Sequence, residues 1–208
     1  MFNRILVLAP HTDDGELGCG GTINKFINLG KDVFCAAFSI AEDSVPSGFA
    51  KDALLGEFSN AMSTLGLRKE NQIVYRYRVR HFPAFRQEIL EDIFQLKKQI
   101  APDLVFVPSL NDIHQDHQVI ASEGLRVFKK SSILGYELPW NNIVFETRSF
   151  VSLSKSNIEK KIEALRCYKT QSHRSYLDDA FIYGLAKTRG TQFESEYAES
   201  FEVMRILI

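Results

Sequence analysis

Two uninterrupted apolar runs, Ile5-Leu6-Val7-Leu8-Ala9 and Leu104-Val105-Phe106-Val107, constrain the fold of this chain more than any other feature. A strand with one wet face alternates apolar and polar residues, whereas a strand with no polar side is covered on both faces. Helices supply that cover, and helical crossovers join strands that run parallel. The first strand, over residues 4–9, ends at Pro10, and Pro108 closes the second. A third is read over residues 32–40, Asp-Val-Phe-Cys-Ala-Ala-Phe-Ser-Ile.

Helical signals fill the intervals. Gly18, Gly20 and Gly21 open a helix that reaches Leu29 and stops at Gly30, since glycine takes the left-handed conformation that ends helices. A polar loop with Pro46 and Gly48 leads to a helix over 49–65, stopped by Gly66. Residues 84–100 repeat apolar side chains at Phe85, Ile89, Ile93, Leu96 and Ile100, the spacing of one helix face. Further helices are expected over 116–130 and 155–168. Residues 72–79 read as a strand carrying Arg76 and Arg78. Segments 133–138 and 143–152 read as strands around the turn Pro139-Trp140-Asn141-Asn142, with short or irregular elements completing the chain. The alternation predicts an α/β fold with a mainly parallel sheet, in a single domain over residues 1–208.

Composition narrows the function. The 208 residues are 45% hydrophobic, enough for one well-filled core, and the net charge of −1 leaves no electrostatic footprint for nucleic acid. Cys19, Cys35 and Cys167 are odd in number, widely spaced and outside any C-x-x-C pattern. That argues against a disulfide framework or a structural zinc and points to a reducing cytosol. The N-terminal apolar run is far shorter than a signal-peptide core, and no stretch approaches the roughly 18 residues that span a bilayer. The expectation is a cytoplasmic protein without a membrane span.

Both apolar runs lead into segments rich in metal-ligating side chains. Pro10-His11-Thr12-Asp13-Asp14-Gly15-Glu16 follows the first, and His114-Gln115-Asp116-His117 follows the second. Open α/β sheets bind ligands beyond the C-terminal ends of their strands, where strand order reverses. The two loops are therefore expected to converge into one site at that edge. His11 and Asp14 lie three residues apart on a tight loop and can face one point, and His117 opens a helix and can supply a third ligand. Two imidazoles and a carboxylate suit zinc and leave a fourth position for water, as catalytic zinc sites do. Asp13 adjoins a ligand, a natural position for a general base. His114 lies about a turn before His117, and Asp116 can hold its other ring nitrogen and fix its tautomer. A lone loop histidine is more often simply solvated, and paired aspartates at a strand end are often helix caps. Two such segments at one sheet edge outweigh those plainer readings. The three glycines do not form G-x-G-x-x-G, so their role is a tight turn and close helix–sheet packing.

Residues 5–22, Ile-Leu-Val-Leu-Ala-Pro-His-Thr-Asp-Asp-Gly-Glu-Leu-Gly-Cys-Gly-Gly-Thr, resemble the first signature of the PIG-L/LmbE family of zinc-dependent N-deacetylases. Asp112-Ile113-His114-Gln115-Asp116-His117 resembles the second, H-x-D-H. Lys161-Ile-Glu-Ala-Leu165, Thr170-Gln171, Arg189-Gly190 and Ala198-Glu199-Ser200-Phe201 extend the resemblance through the C-terminal third. It implies a Rossmann-like three-layer fold and removal of the acetyl group from an N-acetylglucosamine-type amino-sugar conjugate. By position it makes His11, Asp14 and His117 the Zn2+ ligands and Asp13 the general base. His114 would stabilise the oxyanion or act as an acid, with Asp116 orienting it. Thr12 stands where the family usually has proline, which removes no ligand. Glu16 matches a family position too, and is either an acid near a helix N-terminus or a site residue.

Arg76, Arg78 and Arg80, with His81, form an alternating basic run expected to meet a phosphate or nucleotide on the substrate; otherwise it is a solvated strand face. Trp140 and Tyr136 either stack on a sugar ring or pack on the core. Rival functions are a non-catalytic sugar-binding module and a zinc hydrolase of another amide or a phosphoester. Self-association is left open. The tail Val203-Met204-Arg205-Ile206-Leu207-Ile208 reads as a last strand or as an exposed patch for subunit contact.

Overall fold

Strand β1 (Arg4–His11) lies third from one edge of a seven-stranded sheet with the order β3-β2-β1-β4-β5-β7-β6. The computed structural model describes residues 2–207; Met1, and Ile208 at the end of the apolar tail, lie outside the described residues. The other strands are β2 (Asp32–Ser39), β3 (Gln72–Val74), β4 (Leu104–Pro108), β5 (Ser132–Tyr136), β6 (Ser149–Leu153) and β7 (Tyr197–Arg205). Strands β3, β2, β1, β4 and β5 are mutually parallel, and β7 runs antiparallel to both β5 and β6. The helices are α1 (Asp14–Asn28), α2 (Ala53–Leu65), α3 (Arg86–Ile100), α4 (Gln115–Val127), α5 (Lys155–Leu165) and α6 (Asp179–Thr191).

Successive β1 residues face opposite layers. Ile5, Val7 and Ala9 join a core with side chains of α1, α2, α5 and α6, while Leu6 and Leu8 join one with α3 and α4. This is the three-layer α/β arrangement with a mostly parallel sheet, and it explains why the apolar runs have no polar side. Among the described residues, no helix is long and apolar enough to cross a membrane.

Several boundaries differ from expectation, each for a physical reason. Strand β1 continues through Pro10 to His11, because β4 pairs only with Ile5–Val7 and a missing N–H beyond Val7 breaks no ladder bond toward β4. Helix α1 starts at Asp14 rather than at the glycines, with the charge of Asp14 favourably placed in its positive first turn. The glycines serve approach. A Cβ on Gly18 would sit 2.3 Å from the Tyr136 ring, and one on Gly21 would sit 2.6 Å from Leu153. Tyr136 is accordingly core, fully buried with its hydroxyl donating to the Leu8 carbonyl.

The strand expected over 72–79 is regular for only three residues, although the Tyr75 and Tyr77 N–H groups still bond to the Ala37 and Phe38 carbonyls of β2. The strand expected over 143–152 starts only at Ser149, leaving Ile143 and Val144 exposed. Helix α6 and strand β7 replace the irregular C-terminal region. Val203–Arg205 of the tail end β7, which is inserted between β5 and β6, while Val203, Ile206 and Leu207 are exposed.

Candidate metal centre and cleft

Strands β1 and β4 are neighbours whose following helices pack on opposite faces of the sheet, which opens a crevice at their C-terminal ends. The two His/Asp segments meet there. His11 ends β1, Asp13 is the N-cap of α1 and Asp14 its first residue; His114 is the N-cap of α4 and His117 lies in its first turn. Regular secondary structure on both sides fixes these backbones.

Three donor atoms form a small triangle. His11 Nδ1 and Asp14 Oδ2 are 3.1 Å apart, His117 Nε2 and Asp14 Oδ2 are 3.2 Å apart, and the two ring nitrogens are 3.3 Å apart. A tetrahedral ion with bonds of about 2.0–2.1 Å has ligand–ligand edges of roughly 3.3 Å. The triangle therefore fits one face of such a tetrahedron. Each imidazole is braced behind: Asp116 Oδ2 lies 3.0 Å from His11 Nε2, and Asp112 Oδ2 lies 2.7 Å from His117 Nδ1. Carboxylates in that position fix ring orientation and direct the other nitrogen at a metal. Ring nitrogens of His11, His114 and His117 also come within 4.8 Å of one another. That set is looser, and His114 Nδ1 is occupied as a helix cap by the Asp116 N–H at 3.1 Å. The set containing Asp14 fits better.

The electrostatics match a cation site. Burial opposes charge on both His11 and His117, yet the carboxylates outweigh it. His117 is pushed up to about 10, chiefly by Asp14 and Asp112, and His11 up to about 8 through Asp116 and Asp14. Burial also works against charge on Asp14, but the two histidines hold its carboxyl well below the usual range. Asp13 behaves oppositely. Burial and then the charge of Asp14 push it up to about 6, and its carboxylate makes no capping bond to α1. An N-cap aspartate that leaves the cap unmade has its oxygens available to the cleft. His114 is lowered to about 4 by burial and by the other two histidines.

One pairing differs from expectation. The Asp116 carboxylate holds His11 rather than His114, and it also accepts the Arg80 N–H at 2.5 Å and the Phe82 N–H at 3.2 Å. From the first turn of α4 this side chain reaches across to β1, so only its backbone N–H touches His114. Arg76 and Arg78 lie in ion pairs with Glu42 at 2.6 Å and Asp43 at 2.8 Å, while Arg80 lines the cleft. Glu16 is fully buried behind the loop against the Tyr168 hydroxyl, which also contacts the Thr12 carbonyl. Burial raises its carboxyl well above the usual range.

The cleft, of ≈ 300 Å³, is lined by these groups together with Trp140, Gln171, Arg174 and Tyr176. Trp140 stacks on Tyr176 at 4.1 Å between centroids, so one indole face is already covered. Sequence reasoning assigned no role to Asp112, Arg174 or Tyr176. For Asp112 a signal existed, a carboxylate just ahead of a helix that presents histidines.

A family model described as GlcNAc-PI de-N-acetylase, PIG-L, matches residues 6–128, a span that contains both His/Asp segments. An uncharacterized deacetylase of Escherichia coli (strain K12), YaiS, is 28% identical over 175 residues, covering 80% of this chain and 90% of its own. Among solved structures, an N,N'-diacetylchitobiose deacetylase from Pyrococcus horikoshii matches with a TM-score of 0.81 at 20% identity, over 98% of this chain and 84% of that one. The 4-carboxy-2-hydroxymuconate hydratase GalB from Pseudomonas putida KT2440 matches with a TM-score of 0.79 at 18% identity, over 99% and 98%. At these identities the two structures share the fold, and a fold alone does not select a reaction.

Proposed function

Because this chain belongs to the GlcNAc-PI de-N-acetylase (PIG-L) family, we propose that it hydrolyses the N-acetyl group of an amino-sugar conjugate. The sugar is of the N-acetylglucosamine type, the metal is zinc, and the products are acetate and a free amine. The observation that carries this reading is the donor triangle of His11, Asp14 and His117 with the uncommitted Asp13 carboxylate beside it.

A zinc ion held by His11, Asp14 and His117 would supply Lewis acidity to the acetamide carbonyl and to the attacking water. The remaining steps belong to the chain. Asp13, pushed up to about 6 by burial and by Asp14 in the metal-free chain and leaving its capping bond unmade, is the group placed to take the proton of the attacking water. His114 accepts the Asp116 N–H at Nδ1, so its neutral ring carries hydrogen on Nε2. That N–H is the donor for the oxyanion formed at the carbonyl, a contact worth roughly 3–4 kcal/mol in such sites. Burial and the neighbouring histidines lower His114 to about 4, which favours it as a neutral donor and Asp13 as the group that returns its proton to the departing amine.

The test is metal analysis together with a free-amine assay on a panel of N-acetylglucosamine conjugates. Stoichiometric zinc and released amine are expected, with Asp13→Asn keeping the zinc while losing about 10²–10⁴-fold in turnover. Bound zinc without amine from any panel member would refute deacetylation and favour a binding module or another hydrolase.

A further inference from the structure

The chain has twelve arginines. Eight pair with a carboxylate within 4.0 Å, from the exposed Arg68–Asp32 pair to Arg189–Glu137. Arg4 and Arg205 donate to the carbonyls of Ile100 and Phe128. The two left over, among the described residues, are Arg80 and Arg174, and both line the metal cleft. Among the described residues, the one side-chain hydrogen bond of Arg174 is a long one of 3.5 Å to Gln171, itself a cleft residue. An unpaired arginine on an open surface is ordinary. Two in one cleft, where the other ten are engaged, form a pattern.

Arg80 is also held in a demanding backbone geometry. Its φ is 69°, a left-handed conformation that L side chains rarely adopt, and its N–H is bonded at 2.5 Å to the Asp116 oxygen that braces His11. The residue is thereby tied to the metal ligands. Guanidinium presents a planar fork of donors that matches the oxygens of phosphate and carboxylate, and it remains charged at any working pH. The acidic groups of the cleft floor are already engaged with the histidines or, as Asp13, needed as a base.

We propose that Arg80 and Arg174 form an oxyanion subsite beside the metal centre, and that the amino-sugar substrate carries a phosphate or carboxylate that occupies it. For its chemistry the inference rests on the deacetylase reading; the subsite itself is a statement about binding. It replaces the expected Arg76–Arg80 stripe with two arginines from segments far apart in sequence.

The test uses the zinc-loaded protein with N-acetylglucosamine, its 1-phosphate and 6-phosphate, and N-acetylmuramic acid. Binding is read by calorimetry and amine release is read in parallel. At least one charged sugar is expected to bind about tenfold or more tightly than the neutral one, with the gap narrowing as salt rises. Whichever sugar gains identifies the oxyanion and its position. Arg174→Gln and Arg80→Gln should each remove most of that preference, while Arg68→Gln, outside the cleft, retains it; thermal melts verify that all three fold. Equal binding of all four sugars overturns the subsite, as does a preference surviving both cleft substitutions, which would assign the anion to the metal. Amine release without preference overturns the subsite alone. Preference without amine from any sugar overturns deacetylation and leaves the subsite standing.

Discussion

Helix α1 is interrupted at Cys19, whose φ of −148° and ψ of 26° are not helical. A regular helix would bond the Gly21 N–H to the Leu17 carbonyl. Here a buried ion pair is inserted between them. Lys161 Nζ donates to the Leu17 carbonyl at 2.6 Å and to Glu199 Oε1 at 2.7 Å, and Glu199 accepts the N–H groups of Gly21 at 3.0 Å and Thr22 at 2.7 Å. Both side chains are under 10% exposed. Lys161→Met removes the cation, orphans the Leu17 carbonyl and leaves the Glu199 carboxylate buried with two backbone N–H donors but no counter-charge. Breaking one side of a buried pair costs about 3–5 kcal/mol. At about 2–4 °C per kcal/mol for a chain of this size, the melting temperature should fall by roughly 6–20 °C. Adding Glu199→Gln removes the uncompensated charge and offers an amide N–H to Leu17 and an oxygen to the helix, so the double variant should recover about 1–3 kcal/mol. Urea and thermal unfolding of the parent, both singles and the double complete the cycle. A single variant melting within about 4 °C of the parent, or a double variant showing no recovery, would refute this account of the interrupted helix.

Other consequences are equally measurable. Asp112→Ala frees the ring of His117 and should weaken zinc about 10–100-fold in chelator competition; unchanged affinity would deny Asp112 its bracing role. At pH 7 the metal-free protein holds His11 and His117 protonated, so zinc uptake should release about two protons, seen as a buffer-dependent binding enthalpy. Both histidines titrate above their unfolded value of 6.5, so the stability they contribute is fully present below pH 6.5. It declines as pH rises through 8 towards 10. Unfolding of the metal-free protein at pH 6 and pH 9 checks the sign, and greater stability at pH 9 would contradict it. Gly18→Ala drives a methyl group into the Tyr136 ring and should cost about 1–3 kcal/mol or more, against near neutrality if the helix can shift away.

How much of this was legible in the sequence depended on whether the information was local. Strands β1 and β4 were legible because burial on both faces leaves a run with no polar residue. The His/Asp segments followed because a parallel sheet sends its strand ends to one edge. Strand β7 was hidden because its buried positions include Glu199, Ser200 and Glu202. Those partners, Lys161, the Arg189–Glu137 pair and Ser109, come from distant segments. Asp116 stands two residues after His114 in one segment, whereas its carboxylate reaches across the crevice to His11 of β1. The ion pairs of Arg76 with Glu42 and of Arg78 with Asp43 join segments more than 30 residues apart. Each miss is a tertiary pairing that no periodicity encodes.

The position of β7 carries a further consequence, for the order in which the molecule can be assembled. Edge strand β6 pairs with β7 alone, and the wedge in α1 needs Glu199 of β7. Residues 6–128 already contain every candidate ligand, yet a nascent chain of that length lacks the strand whose Glu199 completes the interruption of α1 at Cys19. During synthesis, the metal-binding geometry should mature late, when the last strand slots between two strands made before it. Metal uptake would then report insertion of β7 rather than emergence of the ligands.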